Sequence, residues 1–245
     1  IGRKLTTVEC CLLIDEAAVT IVAGNIRRSA GMRQFASNDK EAASAKENLW
    51  NQDENGNWRI DPEKDALRMA NHTRVYHTKP SYQTILEAVT KQFHSGEGAI
   101  QFAPEAIARS NADILNTEAL KIEFIEIYSE QGKEEARKWI NLNYGPYSEE
   151  ELNHRMSRYG LNPCGEILGN DFHCNLAEVH LNQIDPEDIE EQKKAFKAAA
   201  LSVACLLNHE FEVERYRKSR EFDPIVGVSF TGLFDFFVHA FGTRW

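Results

Sequence analysis

Apolar positions at the start of the chain recur at helical spacing. Leu12, Leu13, Ala17 and Ile21 fall on one side, which predicts a helix within residues 1–23. Thr6 or Thr7 is placed to cap its start, and Gly24-Asn25 is placed to end it. Cys10 and Cys11 lie inside this helix; neighbouring helical residues point in different directions, so core packing is expected of them and not a bridge. Residues 36–60 are polar, with a turn signal at Asn55-Gly56 and with Trp50 and Trp58 expected to anchor the stretch to the body. Asp61-Pro62 has the cap-then-proline form of a helix start. Ser81 opens a further helix with Tyr82, Leu86, Val89 and Phe93 on one face. The Gly96-Glu97-Gly98 turn then feeds Ala99-Ile100-Gln101-Phe102, which reads as a buried strand.

Residues 116–147 are charged and read as two helical pieces broken near Gly132, and 117–147 is expected as a helical surface insertion. Ser148-Glu149-Glu150-Glu151 is a capping box. Leu152, Met156 and Tyr159 carry that helix forward to a stop at Gly160. Residues 175–179 read as a strand. Asp185-Pro186 opens a long helix whose broad apolar face holds Phe196, Ala199, Ala200, Val203, Leu206 and Leu207, extended by Ala198, Leu201 and Cys205, with Cys205 read as core. A short strand over 225–229 leads into a helix start at Thr231-Gly232-Leu233. Strands alternating with helices predict the α/β class with parallel strands, and a barrel is one such architecture. There is no internal repeat, low-complexity tract or flexible linker.

Composition narrows the function classes. The 245 residues are 42% hydrophobic and 27% charged, ordinary for a globular protein. With 28 basic and 38 acidic residues the net charge is -10, which argues against broad binding along a nucleic-acid backbone. No apolar run is long enough to span a bilayer and no signal peptide is visible. Five cysteines at irregular spacing do not form a secreted disulfide framework, so a reducing, cytoplasmic setting is expected. The chain begins with Ile, from which a fragment is expected.

The stretch Asn162-Pro163-Cys164-Gly165-Glu166-Ile167, with Cys174 close behind, concentrates the chemistry. Pro163 fixes its own φ and pushes Asn162 toward an extended conformation. Gly165 frees the backbone to turn tightly or to approach a ligand. If the loop runs extended, Asn162, Cys164 and Glu166 share one side. That side then offers a carboxamide to orient a hydroxyl, a thiol for redox or radical chemistry, and a carboxylate for proton transfer. Other roles for these residues remain open. Cys164 would serve as a small packing residue, and Cys164, His173, Cys174 and His180 lie close enough in sequence to raise a zinc site, although their spacing departs from the tight Cys pairs of common zinc motifs. The arginines of Ile26-Arg27-Arg28-Ser29-Ala30 are suited to phosphate or a base edge, and equally to a solvated turn.

Asn162-Pro163-Cys164-Gly165-Glu166-Ile167 followed by Cys174-Asn175-Leu176 resembles the radical-site loop of ribonucleotide reductases, most closely the adenosylcobalamin-dependent class II ribonucleoside-triphosphate reductases. Gly24-Asn25-Ile26-Arg27-Arg28-Ser29-Ala30 resembles their substrate-specificity loop. The resemblance covers most of the chain and fits 117–147 poorly. It implies part of a ten-stranded α/β barrel with the radical cysteine on an inner finger loop. Residues 1–245 would all belong to that catalytic domain, with barrel parts missing at both ends. Cys164 would become the thiyl radical that abstracts the 3′ hydrogen of the ribose. Glu166 would take the 3′-hydroxyl proton, Asn162 would orient the substrate hydroxyls, and Cys174 would be one member of the redox pair that reduces the 2′ position as water leaves. Gly24, Asn25, Arg27, Arg28 and Ser29 would lie between a deoxynucleotide effector and the substrate base. Adenosylcobalamin is the implied cofactor, with most contacts outside this chain, and a thioredoxin-like dithiol the implied reductant. The partner of Cys174 is not assigned, and the fragment is expected to be inactive alone. The same barrel with a different radical source (class I or class III) and a non-catalytic nucleotide-binding module are the rival readings. The family pattern of Pro163, Gly165 and the short Cys164–Cys174 interval favours class II.

Overall fold

Helix α1 (Thr7–Val22) begins at a reciprocal capping box. Thr6 Oγ1 accepts from the Glu9 amide at 3.2 Å, and Glu9 returns a carboxylate oxygen to the Thr6 amide at 2.8 Å. The structure is a computed structural model that describes residues 2–22, 30–96 and 98–242. Within it the chain forms two compact units, residues 1–169 and 170–245.

The first unit is built on a parallel sheet of three strands, β1 (Gly31–Ala36), β4 (Ala70–Tyr76) and β5 (Ala99–Phe102), in the order β1-β4-β5. Gly31 pairs with Ala70 and Thr73 with Ala99. The sequence pattern finds β5 and misses β1 and β4. The reason lies in β4, a central strand buried on both faces that nonetheless carries His72, Thr73 and Arg74. Central parallel strands ordinarily read as apolar runs; here polar side chains find contacts inside the fold, while Arg74 Nε is buried without a hydrogen bond. His72 Nε2 meets the Ala42 carbonyl at 2.6 Å, Thr73 Oγ1 donates to Met32 Sδ at 3.2 Å, and Arg74 lies over the Phe35 ring.

Asn55-Gly56 does form a turn. It joins β2 (Trp50–Gln52) to β3 (Trp58–Ile60), with Asp53 Oδ1 accepting from the Asn55 and Asn57 amides. Trp50 and Trp58 do not anchor it, since both are exposed. Asp61-Pro62 starts no α-helix. It leads into a 3-10 turn at Asp65–Met69.

Helix α3 (Tyr82–Ser95) is capped by Ser81 as expected and ends at Gly96 in the left-handed region. Between the sheet strands lies also the short helix α2 (Lys40–Ser44), capped by Asp39. The expected apolar faces of α1 and α3 are present but not buried. Leu13 is 61% exposed and Phe93 83% exposed. Among the described residues of α1 only Asp15 is buried. It is held against Arg33 at 3.2 Å, and Arg33 also donates to the Leu67 carbonyl. One ion pair thus ties α1, β1 and the 3-10 turn together. Cys10, expected in the core, is exposed, and Cys11 is half-buried.

The main apolar core lies elsewhere. Helices α4 (Ala103–Ser110), α5 (Glu118–Gln131), α6 (Lys133–Tyr144) and α7 (Glu149–Arg155) pack Ile107, Leu115, Phe124, Ile140, Leu152 and Met156 together, all within 1% of full burial. The break at Gly132, at φ 94°, falls where the sequence places it. The 117–147 stretch therefore supplies much of this core. The Ser148 cap is also present, its hydroxyl accepting from the Glu151 amide. Helix α7 stops at Arg155, earlier than expected, and Gly160 opens a strand instead of ending a helix. That strand, β6 (Gly160–Leu161), pairs antiparallel with β7 (Leu168–Gly169).

In the second unit β8 (Asn175–His180) runs parallel to β9 (Val226–Thr231), Asn175 opposite Val226. Helix α8 (Ile189–Leu206) packs on both strands. Its cap is Asp188, which accepts from the Glu190 and Glu191 amides, so the helix begins just after the Asp185-Pro186 signal. Its face is not broadly buried: Val203 is, whereas Leu201, Leu206 and Cys205 are exposed. Helices α9 (Glu214–Phe222), which the sequence pattern misses, and α10 (Leu233–Phe241) complete the unit. The α/β class and the parallel pairing are as expected. Among the described residues the strands form four separate sheets of two or three strands, and these do not close into a barrel.

Two stability outcomes follow. Phe124→Ala removes a side chain of 0% exposure and should cost about 3–5 kcal/mol by denaturant unfolding. Phe93→Ala, on the open face of α3, should stay within about 0.5 kcal/mol. Equal effects would show that Phe124 is not packed as described. Burial pushes the Asp15 carboxyl above its ordinary value, against the pull of Arg33 and Lys46. The folded state therefore holds that proton to higher pH than the unfolded chain. The contribution is complete below the unfolded pKa of about 4 and is lost as pH rises through the folded value. Asp15→Asn should flatten that limb of a stability–pH curve.

Candidate functional site: a thiol-bearing hairpin loop

The loop 162–167 closes the β6–β7 hairpin, and its conformation is set by Asn162. The Asn162 Oδ1 accepts from the amides of Glu166 and Ile167, both at 3.1 Å. The Asn162 carbonyl accepts from the Gly165 amide at 3.0 Å. Residues 162–165 are thus a β-turn with proline at its second position, where a φ near –65° is required. Gly165 leaves the turn at φ +77°, and a Cβ there would meet nothing within 4 Å. That backbone conformation by itself favours glycine. The loop therefore turns where the sequence suggested an extended run, and alternation along a strand does not fix the directions of the three side chains. Cys164 and Glu166 are exposed and Asn162 is half-buried.

This hairpin is fastened to the sheet from below. Gln34 on β1 accepts from the Leu161 amide at 3.0 Å and donates to the Tyr159 carbonyl at 2.9 Å. Gln101 on β5 donates to the same carbonyl at 3.0 Å and accepts from Gln34. From β4, Asn71 Nδ2 donates to the Pro163 carbonyl. All three sheet strands thus contribute one carboxamide each. Behind the hairpin, buried Asn111 donates to the Ile107 and Arg155 carbonyls and accepts from Arg155 and Arg158. Ser110 adds a bond to the Arg158 carbonyl at 2.8 Å. The turn that leads into β6 is therefore locked to the end of α4. Sequence reading misses Gln34, Gln101, Asn71 and Asn111 altogether. They are lone carboxamides in ordinary surroundings, and nothing in the local pattern sets them apart.

The remaining expected residues fall elsewhere. Cys174 lies in the second unit, half-buried, immediately before β8. Gly24, Asn25, Arg27, Arg28 and Ser29 lie outside the described residues. Among the described residues no cluster of three or more His, Cys, Asp or Glu side chains is arranged to hold a metal ion. No helix among them is long and apolar enough to cross a membrane.

In class, this is an α/β scaffold presenting an exposed thiol and an exposed carboxylate on a braced turn. Comparison with known proteins adds particulars. The chain is similar over 99% of its length to an adenosylcobalamin-dependent ribonucleoside-triphosphate reductase of Lactobacillus gasseri, at 27% identity. It is similar over its whole length to proteins of the same name from Lacticaseibacillus paracasei, at 27% identity, and Lactobacillus acidophilus, at 25%. It spans about a quarter of the length of these curated relatives (26% of each). The class II resemblance read from the two motifs is thus borne out along the chain. No family model matches it, and no solved structure does so significantly.

The bracing has a measurable consequence. Gln34→Leu removes the acceptor of the Leu161 amide and should speed its hydrogen exchange at least about fivefold, the equivalent of roughly 1 kcal/mol for one hydrogen bond. Amides of the α5–α6 core should be unchanged. Unaltered exchange at Leu161 would show that Gln34 does not hold the hairpin.

Proposed function

We propose that this chain is part of a class II ribonucleotide reductase, converting ribonucleoside triphosphates to 2′-deoxyribonucleotides by thiyl-radical chemistry. The observation that carries the reading is the braced loop with Cys164 and Glu166 exposed on it, in a chain similar end to end to three reductases. The exposed apolar faces of α1, α3, α8 and α10 support the view that it works within a larger assembly of the same polypeptide, the ten-stranded barrel. By itself it does not turn over.

Adenosylcobalamin fits what the loop offers, an exposed sulfur at a turn open to a bulky reactant. Cys164 would face it, and most of its contacts would come from outside this chain. When bound, it supplies the one-electron oxidising equivalent. The chain's residues do the rest. Cys164 Sγ takes the 3′ hydrogen atom of the ribose and later returns one. Glu166 takes the proton of the 3′-hydroxyl, so charge does not build up on the sugar. The 2′-hydroxyl leaves as water, and Cys174 with a partner thiol supplies two electrons and ends as a disulfide. Thioredoxin-like dithiols reduce it again. Asn162 orients the substrate through its Nδ2 donors, because its Oδ1 is spent on the loop amides. It therefore recognises hydroxyl oxygens as acceptors. The segment 24–29 would sit between a deoxynucleotide effector and the substrate base.

The test is anaerobic nucleotide reduction by the full-length protein with a dithiol, with and without adenosylcobalamin. Product is expected only with the cofactor. Cys164→Ser should abolish product, a loss of at least about 10³-fold, while leaving nucleotide binding intact. Activity without the cofactor would move the protein to another radical class. Binding without activity in either condition would favour the non-catalytic nucleotide-binding reading.

A further inference from the structure

The segment 170–175 of the second unit carries a cluster that none of the roles above uses. The His173 ring packs against Phe211 with centroids 4.1 Å apart and meets Tyr216 edge-on at 5.1 Å. His209 stands edge-on to Phe211 from the other side at 5.0 Å. The Arg220 guanidinium lies over Phe211 and donates to the His209 carbonyl, and Arg215 lies over Tyr216. The Nδ1 of His173 is buried with no hydrogen-bond partner. Such an atom is an anomaly in a ring whose role is ordinarily polar. It makes sense if the ring is held for its shape.

What lies next to the ring is informative. His173 precedes Cys174, and the backbone around the pair is pinned on both sides. Buried Ser219 on α9 donates to the Asn170 carbonyl at 2.5 Å. Asn175 donates to the Ile225 carbonyl at 3.2 Å through its side chain, at the first rung of the β8–β9 ladder. Between those pins the chain turns through Asp171, at φ +50°. The aromatic seat of His173 lies between those pins.

We propose that His173 is the positioning residue for the Cys174 thiol, its neutral imidazole wedged between Phe211 and Tyr216 so that Cys174 is presented in one orientation. The inference rests on the reading of Cys174 as a redox thiol. The groups facing the ring from its neighbours are Tyr216, His209 and Arg220, with Arg215 beyond, and Asp171, which lies 3.8 Å from Arg215. Burial first, then His209 and Arg220, holds the imidazole below its ordinary pKa. Protonation places a further positive charge among cations and expels the ring, which releases Cys174.

The test is alkylation of the full-length protein by a maleimide, read peptide by peptide, with Cys164 as internal reference. The wild-type ratio of Cys174 to Cys164 labelling should rise at least about threefold between about pH 7.5 and about pH 5.5. His173→Ala should show a raised ratio already at the higher pH. His173→Phe keeps the wedge and cannot be protonated, so its ratio should be low and flat across the range. A pH-dependent ratio in His173→Phe, or an unchanged ratio in His173→Ala, would overturn the proposal. If the alanine variant does not fold, the phenylalanine variant decides alone. Turnover separates the two layers: kcat should fall in His173→Ala and recover in His173→Phe, with KM unchanged. Should Cys174→Ser retain full turnover, the redox reading fails while the labelling result still judges the wedge.

Discussion

Three carboxamides hold the site in place. Gln34, Gln101 and Asn71 come from the three strands of one parallel sheet, and their bonds end on residues 159–163. A two-residue hairpin is far too short to be stable by itself. Its rigidity is borrowed from the sheet through these bonds, and from the helical core through Asn111 and Ser110. The parallel sheet in turn depends on polar residues buried within β4 and on the Asp15–Arg33 pair that seats α1. A buried pair of this kind adds little net stability, yet breaking it leaves a charge without a partner. Its effect is to specify which helix lies where. Positional accuracy at the loop is thus established by polar contacts, while bulk stability comes from the α4–α7 core.

Legibility in the sequence divides along the same line. Elements announced by local chemistry appear where they were read: the caps at Thr6, Ser81 and Ser148, the break at Gly132, the turn at Asn55-Gly56, and strands β5, β8 and β9. The central strand β4 is missed because the contacts of its polar residues lie far away in sequence. The same holds for Gln34, whose partners Gln101 and Tyr159 lie 67 and 125 positions away. The site motif was legible because Pro, Gly and Asn are all needed for its turn. The shape of that turn was not, since whether Asn162 offers its oxygen to a substrate or to its own loop depends on where the hairpin strands pair.

Burial was the least legible property. Helical periodicity correctly marks apolar faces on α1, α3 and α8, and then says nothing about what covers them. Leu13 and Phe93 sit on correctly read helices and remain open. An amphipathic pattern marks a face suited to a second layer; it does not say where in the chain that layer is found. A chain that spans a quarter of its relatives is a case in which the two statements separate.

The loop's internal economy bears on chemistry. Had Asn162 kept its oxygen for a substrate, the Glu166 and Ile167 amides would need another acceptor, and the turn would loosen just where Cys164 must be held. By closing the turn with Oδ1, Asn162 shapes the loop that carries Cys164, and its Nδ2 makes no hydrogen bond to any described residue. On the reading proposed above, Nδ2 would donate to one sugar hydroxyl oxygen while Glu166 takes the proton of another. The left-handed φ of Gly165 is a demand of that same turn.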